Sequence, residues 1–221
     1  GDYKAAVSER ALLVIRKAQV NVAIPEQTAV YSGKTPTIQG LTVQTETGKD
    51  IMAESIPFIR YHFYSDPEAA EEIEPPVNAG TYYVQAWLAE RDNYQAAKSP
   101  VQKLAIEKAV PVLSDVRLSD ITYGEMGYLS EAEGLATGVE AEELSGAFLP
   151  EGEICQTRMD AGTYEVNVRF TPDADTAVNY QTAVAAVPLT VLPSEPQIIG
   201  RDKTKVYDGQ PAVLDEVWLK G

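Results

Sequence analysis

Short stretches of alternating apolar and polar residues recur along the chain, and each predicts a β-strand with one buried face. Residues 58–64 form a further strand that is apolar on both sides. The 15 glycines and 14 prolines separate these runs as turns do in all-β domains. Gly134 and Gly138 argue against the one candidate helix, residues 129–144. The positions expected to face a core are Val20, Val22, Ile24, Tyr82, Val84, Ala86, Leu88, Leu104, Ile106, Tyr164, Val166, Val168 and Phe170.

The chain also repeats itself. Residues 93–109 align without a gap on residues 2–18 at an offset of 91. Three markers recur in one order: a tyrosine with a turn glycine, an Ala-Gly-Thr-Tyr segment, and an Asn-Tyr pair that leads to an apolar strand. The first marker comprises Tyr31 and Gly33, Tyr123 and Gly124, and Tyr207 and Gly209. The second comprises Gly80 and Tyr82, and Gly162 and Tyr164; the third comprises Asn93 and Tyr94, and Asn179 and Tyr180.

This order predicts tandem β-domains. We expect the tail strand of a preceding repeat at residues 1–18, full repeats at 19–109 and 110–193, and the head of a following repeat at 194–221. Spacings of 82 to 92 residues between equivalent markers suit small β-domains and exceed the periods of solenoid repeats. The incomplete ends are expected to fray, to pack on a neighbour, or to pair through open strand edges.

The Ala-Gly-Thr-Tyr segment indicates the topology of each repeat. In immunoglobulin-like sandwiches a tyrosine near the start of the penultimate strand forms a hydrogen bond back to the corner that precedes it. A glycine just before the tyrosine eases that turn. The segment therefore predicts two tandem immunoglobulin-like β-sandwiches, with Tyr82 and Tyr164 at the corners. A β-grasp repeat is the alternative fold.

The ordered motifs resemble the YDG and MBG-type repeats of large bacterial surface and adhesin-like proteins, and more loosely bacterial immunoglobulin-like repeats. Tyr207-Asp208-Gly209 carries the YDG sequence, Tyr31-Ser32-Gly33 is a variant, and Thr122-Tyr123-Gly124-Glu125 resembles the YGX variant. The first full repeat departs from the pattern by an acidic insertion at residues 65–76, and the second by the missing aspartate. The resemblance implies an extracellular stalk or adhesive module of a bacterial cell-surface or secreted protein, whose signal and anchor lie outside these residues.

Composition narrows the possible chemistry. Lys and Arg total 18 against 33 Asp and Glu, and this net charge of −15 argues against nucleic acid or an anionic membrane as a partner. No apolar run approaches the roughly 18 residues that cross a bilayer. A single cysteine, Cys155, excludes an internal disulfide, and a single histidine, His62, excludes a multi-histidine metal site. We predict no enzymatic activity and no cofactor. Calcium at the acidic runs 66–74 and 140–143 is an alternative without motif support, since neither matches an EF-hand loop.

The candidate binding residues are aromatic. Strand alternation puts Tyr83 and Trp87 on the face opposite Tyr82, so these two and Tyr61 are candidates for stacking on sugar rings. The alternative is an ordinary set of core and inter-strand contacts. The Tyr-Gly markers are either recognition loops or turns whose glycine has a demanding backbone conformation beside a core aromatic. The expected partners are neighbouring repeats of the same chain, with host glycans or glycoproteins as the alternative.

Overall fold

The computed structural model describes residues 2–125, 131–152, 158–200, 204–211 and 217–220. The chain divides into two compact units, Gly1–Lys108 and Ala109–Gly221. Regular structure in both units is almost entirely β. Cys155, the lone thiol, lies outside the described residues.

The first unit contains two sheets. The smaller sheet pairs β1 with β3, and the larger has the order β2-β8-β6-β4-β5, with β7 paired to the end of β6. A four-residue helix, α1 (Met52–Ser55), and a 3₁₀ turn (Ile56–Phe58) precede β4. The strands are β1 (Val20–Ala23), β2 (Gln27–Val30), β3 (Thr42–Thr45), β4 (Ile59–Tyr64), β5 (Glu72–Ile73), β6 (Gly80–Leu88), β7 (Ala97–Lys98) and β8 (Gln102–Glu107).

One core fills the space between these two sheets, so the first unit is a sandwich. The alternating positions predicted to be apolar and inward are the ones that are buried. Gln27 is a buried polar residue of this unit, and its side-chain amide donates to Pro25 O at 2.8 Å and accepts from Gln39 N at 3.0 Å. The core residues are Val20, Val22, Ile24 and Val43 with Ile51, Ile59, Phe63, Val84, Ala86, Leu88, Leu104 and Ile106.

The second unit repeats this plan. Its four-stranded sheet has the order β10-β14-β13-β12, and β9 pairs with β11 in a second sheet. The segment considered for a helix contains β11 instead, because Leu135 and Ala136 pair with Ser114 and Leu113 of β9. The strands are β9 (Val112–Leu118), β10 (Ile121–Thr122), β11 (Ala132–Thr137), β12 (Gly146–Glu151), β13 (Gly162–Pro172), β14 (Ala183–Leu192), and a separate pair, β15 (Gln197–Gly200) and β16 (Val217–Lys220).

Both units contain a tyrosine corner. The Tyr82 hydroxyl donates to Asn78 O at 3.2 Å, and the Tyr164 hydroxyl donates to Asp160 O at 2.9 Å. Gly80 leaves room for the ring of Tyr82, because an added Cβ would lie 3.0 Å from the Tyr82 hydroxyl. The prediction of immunoglobulin-like β-sandwiches is confirmed. The β-grasp alternative is wrong, because the longest α-helix among the described residues has only four residues.

Removing either corner hydroxyl is expected to destabilise its own unit. Tyr82→Phe and Tyr164→Phe should each lower the free energy of unfolding by about 0.5–1.5 kcal/mol, the usual net contribution of one hydrogen bond. Urea unfolding of the full chain measures this loss. Tyr207→Phe is the control, because Tyr207 is 93% exposed. Equal stability of all three variants would contradict a structural role for the corners.

The alanines of the Lys-Ala pairs bond to the Asn-Tyr hairpin that follows each of them. Ala18 N donates to Asn93 O at 2.8 Å, and Gln95 N donates to Ala18 O at 3.0 Å. In the second unit Ala109 N donates to Asn179 O at 2.9 Å, and Gln181 N donates to Ala109 O at 3.0 Å. The sequence predicts Ala18 and Ala109 as the last residues of the preceding repeats, so the predicted exit residue of one repeat is also a contact residue of the next.

Candidate functional site

The first two Tyr-Gly markers are turns that follow β2 and β10, the short strands that pair in parallel with β8 and β14. Tyr31 N donates to Glu107 O and Tyr123 N donates to Leu192 O, each at 2.8 Å. The glycines at all three markers have left-handed φ angles, 74° at Gly33, 95° at Gly124 and 81° at Gly209, which a residue with a side chain rarely adopts. This geometry favours the structural interpretation of the markers.

The tyrosines of these markers have different surroundings. Tyr31 packs against the core of the first unit, as the structural interpretation expects. Tyr123 is 52% exposed and Tyr207 is 93% exposed. A core-packing role therefore describes the first marker alone, whereas the turn glycine describes all three.

The acidic runs use their carboxylates to stabilise loops. Asp66 accepts hydrogen bonds from the backbone of Ala70 and Glu71, and the bond from Ala70 N is the main reason that the pKa of Asp66 lies below its usual range. The Tyr180 hydroxyl donates to Glu142, which lowers the pKa of that carboxyl, and accepts from Val139 N at 2.9 Å. Tyr180 of the Asn-Tyr marker thus holds the acidic loop. Across the described ranges, no three His, Cys, Asp or Glu side chains form a group that could hold a metal ion.

The three aromatic candidates lie on two faces of the larger sheet. Tyr61 packs against the core of the first unit, and burial raises its pKa. Tyr83 and Trp87 lie on the outer face and are half-buried. The structure therefore brings Tyr83 and Trp87 to one surface and removes Tyr61 from it. The alternation of Tyr61 with the buried Ile59 and Phe63, and of Arg60 with His62, was the sequence signal for this face.

Trp87 lies on the outer face of the larger sheet, between its pairing partners on the two neighbouring strands. Arg60 of β4 and Lys98 of β7 pair with Trp87 from the two edges of β6, so the three residues form one row across the sheet. The His62 ring stacks on the indole at 4.0 Å between centroids, and Lys98 Nζ lies 3.4 Å from the ring centroid. The indole N–H donates to Gln85 Oε1 at 2.7 Å. Because an imidazole and an ammonium group already contact the indole, less of the ring is open to a sugar.

The polar partners of this surface are also engaged. His62 Nδ1 lies 2.6 Å from Glu72 Oε1, so the one histidine of the chain is held between a carboxylate and the indole. The Arg91 guanidinium lies over the ring of Tyr94, a residue of the Asn-Tyr marker, and its Cζ is 4.6 Å from the ring centroid. Arg91 in turn donates to Ser55 Oγ at 2.7 Å, which ties this hairpin to α1.

A pocket of about 490 Å³ opens beside Trp87. Its size lies in the range of small-molecule sites. Trp87 is a candidate from the sequence, whereas Arg60 and Lys98 are not, because their shared face depends on the register of β4 and β7 against β6. The lining residues are Phe58, Arg60, His62, Trp87, Leu88, Ala89, Ala96, Ala97 and Lys98.

Comparisons with known proteins give little beyond this geometry. No protein-family model matches the sequence, and no curated protein matches it. Among solved structures, immunoglobulin domains 1–4 of Sidekick-1 align with 85% of this chain at 15% identity and a TM-score of 0.25. The alignment covers 54% of that structure, so the chain spans about half its length. In the described residues, no helix has the length and apolar character needed to cross a membrane.

Proposed function

We propose that this chain is part of a tandem array of immunoglobulin-like domains that serves as a non-catalytic structural and interaction module. The observation that carries the proposal is that one framework is built twice. In each unit an entry alanine pairs with the Asn-Tyr hairpin, a short strand pairs in parallel with the last strand, and a tyrosine corner precedes the penultimate strand. A catalytic site has no reason to be duplicated in this way, whereas a spacer or adhesive module does.

The N-terminal segment supports a longer array. Of its eight identities with residues 94–109, three fall on positions that the first unit buries, because Ser99, Leu104 and Ile106 are each at most 3% exposed. Ser99 Oγ accepts a hydrogen bond from Ala86 N at 3.0 Å, so even the serine has a structural role. The equivalent Leu13 and Ile15 are 83% and 88% exposed. We infer that residues 3–17 form the last strand of a further repeat.

The surface of a bacterial cell, or a secreted bacterial protein, is the setting we propose for this array. The order of the Tyr-Gly, Ala-Gly-Thr-Tyr and Asn-Tyr motifs supports this setting through its resemblance to YDG and MBG-type repeats. The expected partners are neighbouring repeats and a ligand of the outer face around Trp87. Stacking of host sugars on Tyr83 and Trp87 is the weaker candidate, because His62 and Lys98 already flank the indole.

A graft within the chain tests the array. Residues 94–108 are replaced by residues 3–17, with the rest unchanged, so that Leu13 and Ile15 take the places of Leu104 and Ile106. If the N-terminal segment is a last strand, the grafted first unit should unfold cooperatively in urea. Trp87 fluorescence in a Trp218→Phe background reports on this unit, because the chain has two tryptophans.

The matched control carries the same graft with both of its core positions changed, Leu13→Asp and Ile15→Asp. Two carboxylates in the sandwich core should abolish folding of the first unit, since burying an unpaired charge costs several kcal/mol. If the unmodified graft behaves like this control, residues 3–17 are not a last strand and the extended array is wrong.

A further inference from the structure

The pocket beside Trp87 contains two cations without an acidic partner in the described part of the chain. Lys98 Nζ has the Trp87 indole as its contact. The Arg60 guanidinium donates through Nη1 to Ile59 O at 2.7 Å and to Pro57 O at 3.3 Å. An arginine side chain has five N–H donors, so most of its hydrogen-bonding capacity faces solvent.

These unpaired cations are unusual in a chain of net charge −15. Among the described residues, no carboxylate lines the pocket. Glu72 lies 2.6 Å from the lining residue His62, and Glu90 lies 2.6 Å from Lys17, so neither acid is paired with Arg60 or Lys98. An anion that enters the pocket therefore meets positive charge that the protein itself leaves uncompensated.

The remainder of the lining is apolar. Phe58, Leu88 and the three alanines Ala89, Ala96 and Ala97 offer no side-chain donor or acceptor. A neutral sugar would find donors only at the charged residues and would leave their positive charge unpaired, and His62 and Lys98 already contact the indole. A carboxylate attached to an apolar group satisfies both parts of the pocket, because arginine binds carboxylates through paired N–H donors and the apolar group leaves water.

We propose that this pocket binds a carboxylate carried on an apolar body about the size of a phenylalanine side chain. This inference rests on the proposed interaction role and names the chemistry of its ligand. Two sources share that chemistry: a free organic acid, and the C-terminal end of a partner polypeptide. Arg60 and Lys98 pair with Trp87 from opposite edges of β6, so we expect the carboxylate to contact these two side chains and the apolar body to contact the alanines of the lining.

The test compares N-acetylphenylalanine with its neutral amide, in which an uncharged NH2 group of similar size replaces one carboxylate oxygen. Binding to the full chain is followed by the chemical shift of the Trp87 indole N–H, which a Trp218→Phe variant assigns. The acid should bind, and the amide should bind at least about tenfold more weakly. Added salt should lower the affinity of the chain for the acid. Tighter binding of N-acetylglycylglycylphenylalanine identifies a polypeptide end as the source, and weaker binding of this peptide identifies a free acid.

Arg60→Gln and Lys98→Gln should each lower the affinity for the acid about tenfold without changing the affinity for the amide. Lys103→Gln is the matched control, because Lys103 is an exposed lysine of the same sheet that does not line the pocket. Equal affinity for acid and amide, or unchanged binding in both pocket variants, would overturn the proposal. So would tighter binding of N-acetylneuraminic acid, which would assign the site to acidic sugars. None of these outcomes alters the graft result, so failure of the pocket and failure of the array are separable.

Discussion

Replacing Leu104 by alanine is expected to lower the free energy of unfolding of the first unit by about 2–5 kcal/mol. Leu104 is fully buried, and its strand lies between β2 and β6 in the larger sheet. Truncation removes apolar contacts and leaves a cavity that flanking strands on both sides cannot close. Urea unfolding, followed by Trp87 fluorescence in a Trp218→Phe background, measures the change.

The repeat itself supplies the control for this prediction. Leu13 occupies the equivalent position of the N-terminal segment but is 83% exposed. Leu13→Ala should change the stability by no more than about 0.5 kcal/mol, as exposed substitutions usually do. A comparable loss in both variants would show that the N-terminal segment is packed in this chain, and no loss at Leu104 would show that β8 does not hold the core.

Much of this fold was predictable because burial in a sandwich follows the period of a strand. The alternation at residues 164–170 predicted the buried face of β13 correctly, and the one at residues 82–88 did so for β6. The Ala-Gly-Thr-Tyr segment also predicted the corner hydrogen bonds, since a tyrosine hydroxyl near a strand start has few other partners. Local chemistry and periodicity agree at these positions, and the prediction succeeds for that reason.

The candidate site was less predictable because it depends on register across strands. Tyr61 alternates with Ile59 and Phe63, whereas Arg60 and His62 take the opposite face, so the strand period did assign Tyr61 to the core side and its choice as a surface candidate overlooked this. Arg60 and Lys98 are 38 positions apart in the sequence, and they share a surface only because β4 and β7 both pair with Trp87. The hydrogen bond from Ala109 N to Asn179 O was not predictable for the same reason, because the two residues are 70 positions apart in the sequence.

Phe170→Ala is expected to be the most damaging substitution in the second unit, with a loss of about 3–5 kcal/mol in the free energy of unfolding. Phe170 is fully buried, and its ring centroid lies 5.0 Å from that of Phe148 on the neighbouring strand. The ring also packs closely on the backbone of β12, because a Cβ added at Gly146 would lie 2.5 Å from Phe170 Cε2. Alanine therefore loses an aromatic pair and leaves a cavity walled partly by backbone, which relaxes little.

Val184 provides a matched control on the adjacent strand, because it is 46% exposed and pairs with Arg169, the neighbour of Phe170. Val184→Ala should change the stability by about 0.5 kcal/mol or less. Phe170→Leu should lie between the two, since it keeps most of the apolar volume and loses only the aromatic pairing with Phe148. Thermal and urea unfolding of the full chain measure all three. If Phe170→Ala resembled Val184→Ala, the cavity would have closed, which requires β12 to move toward β13 and the backbone at Gly146 to shift from its present contact with the ring.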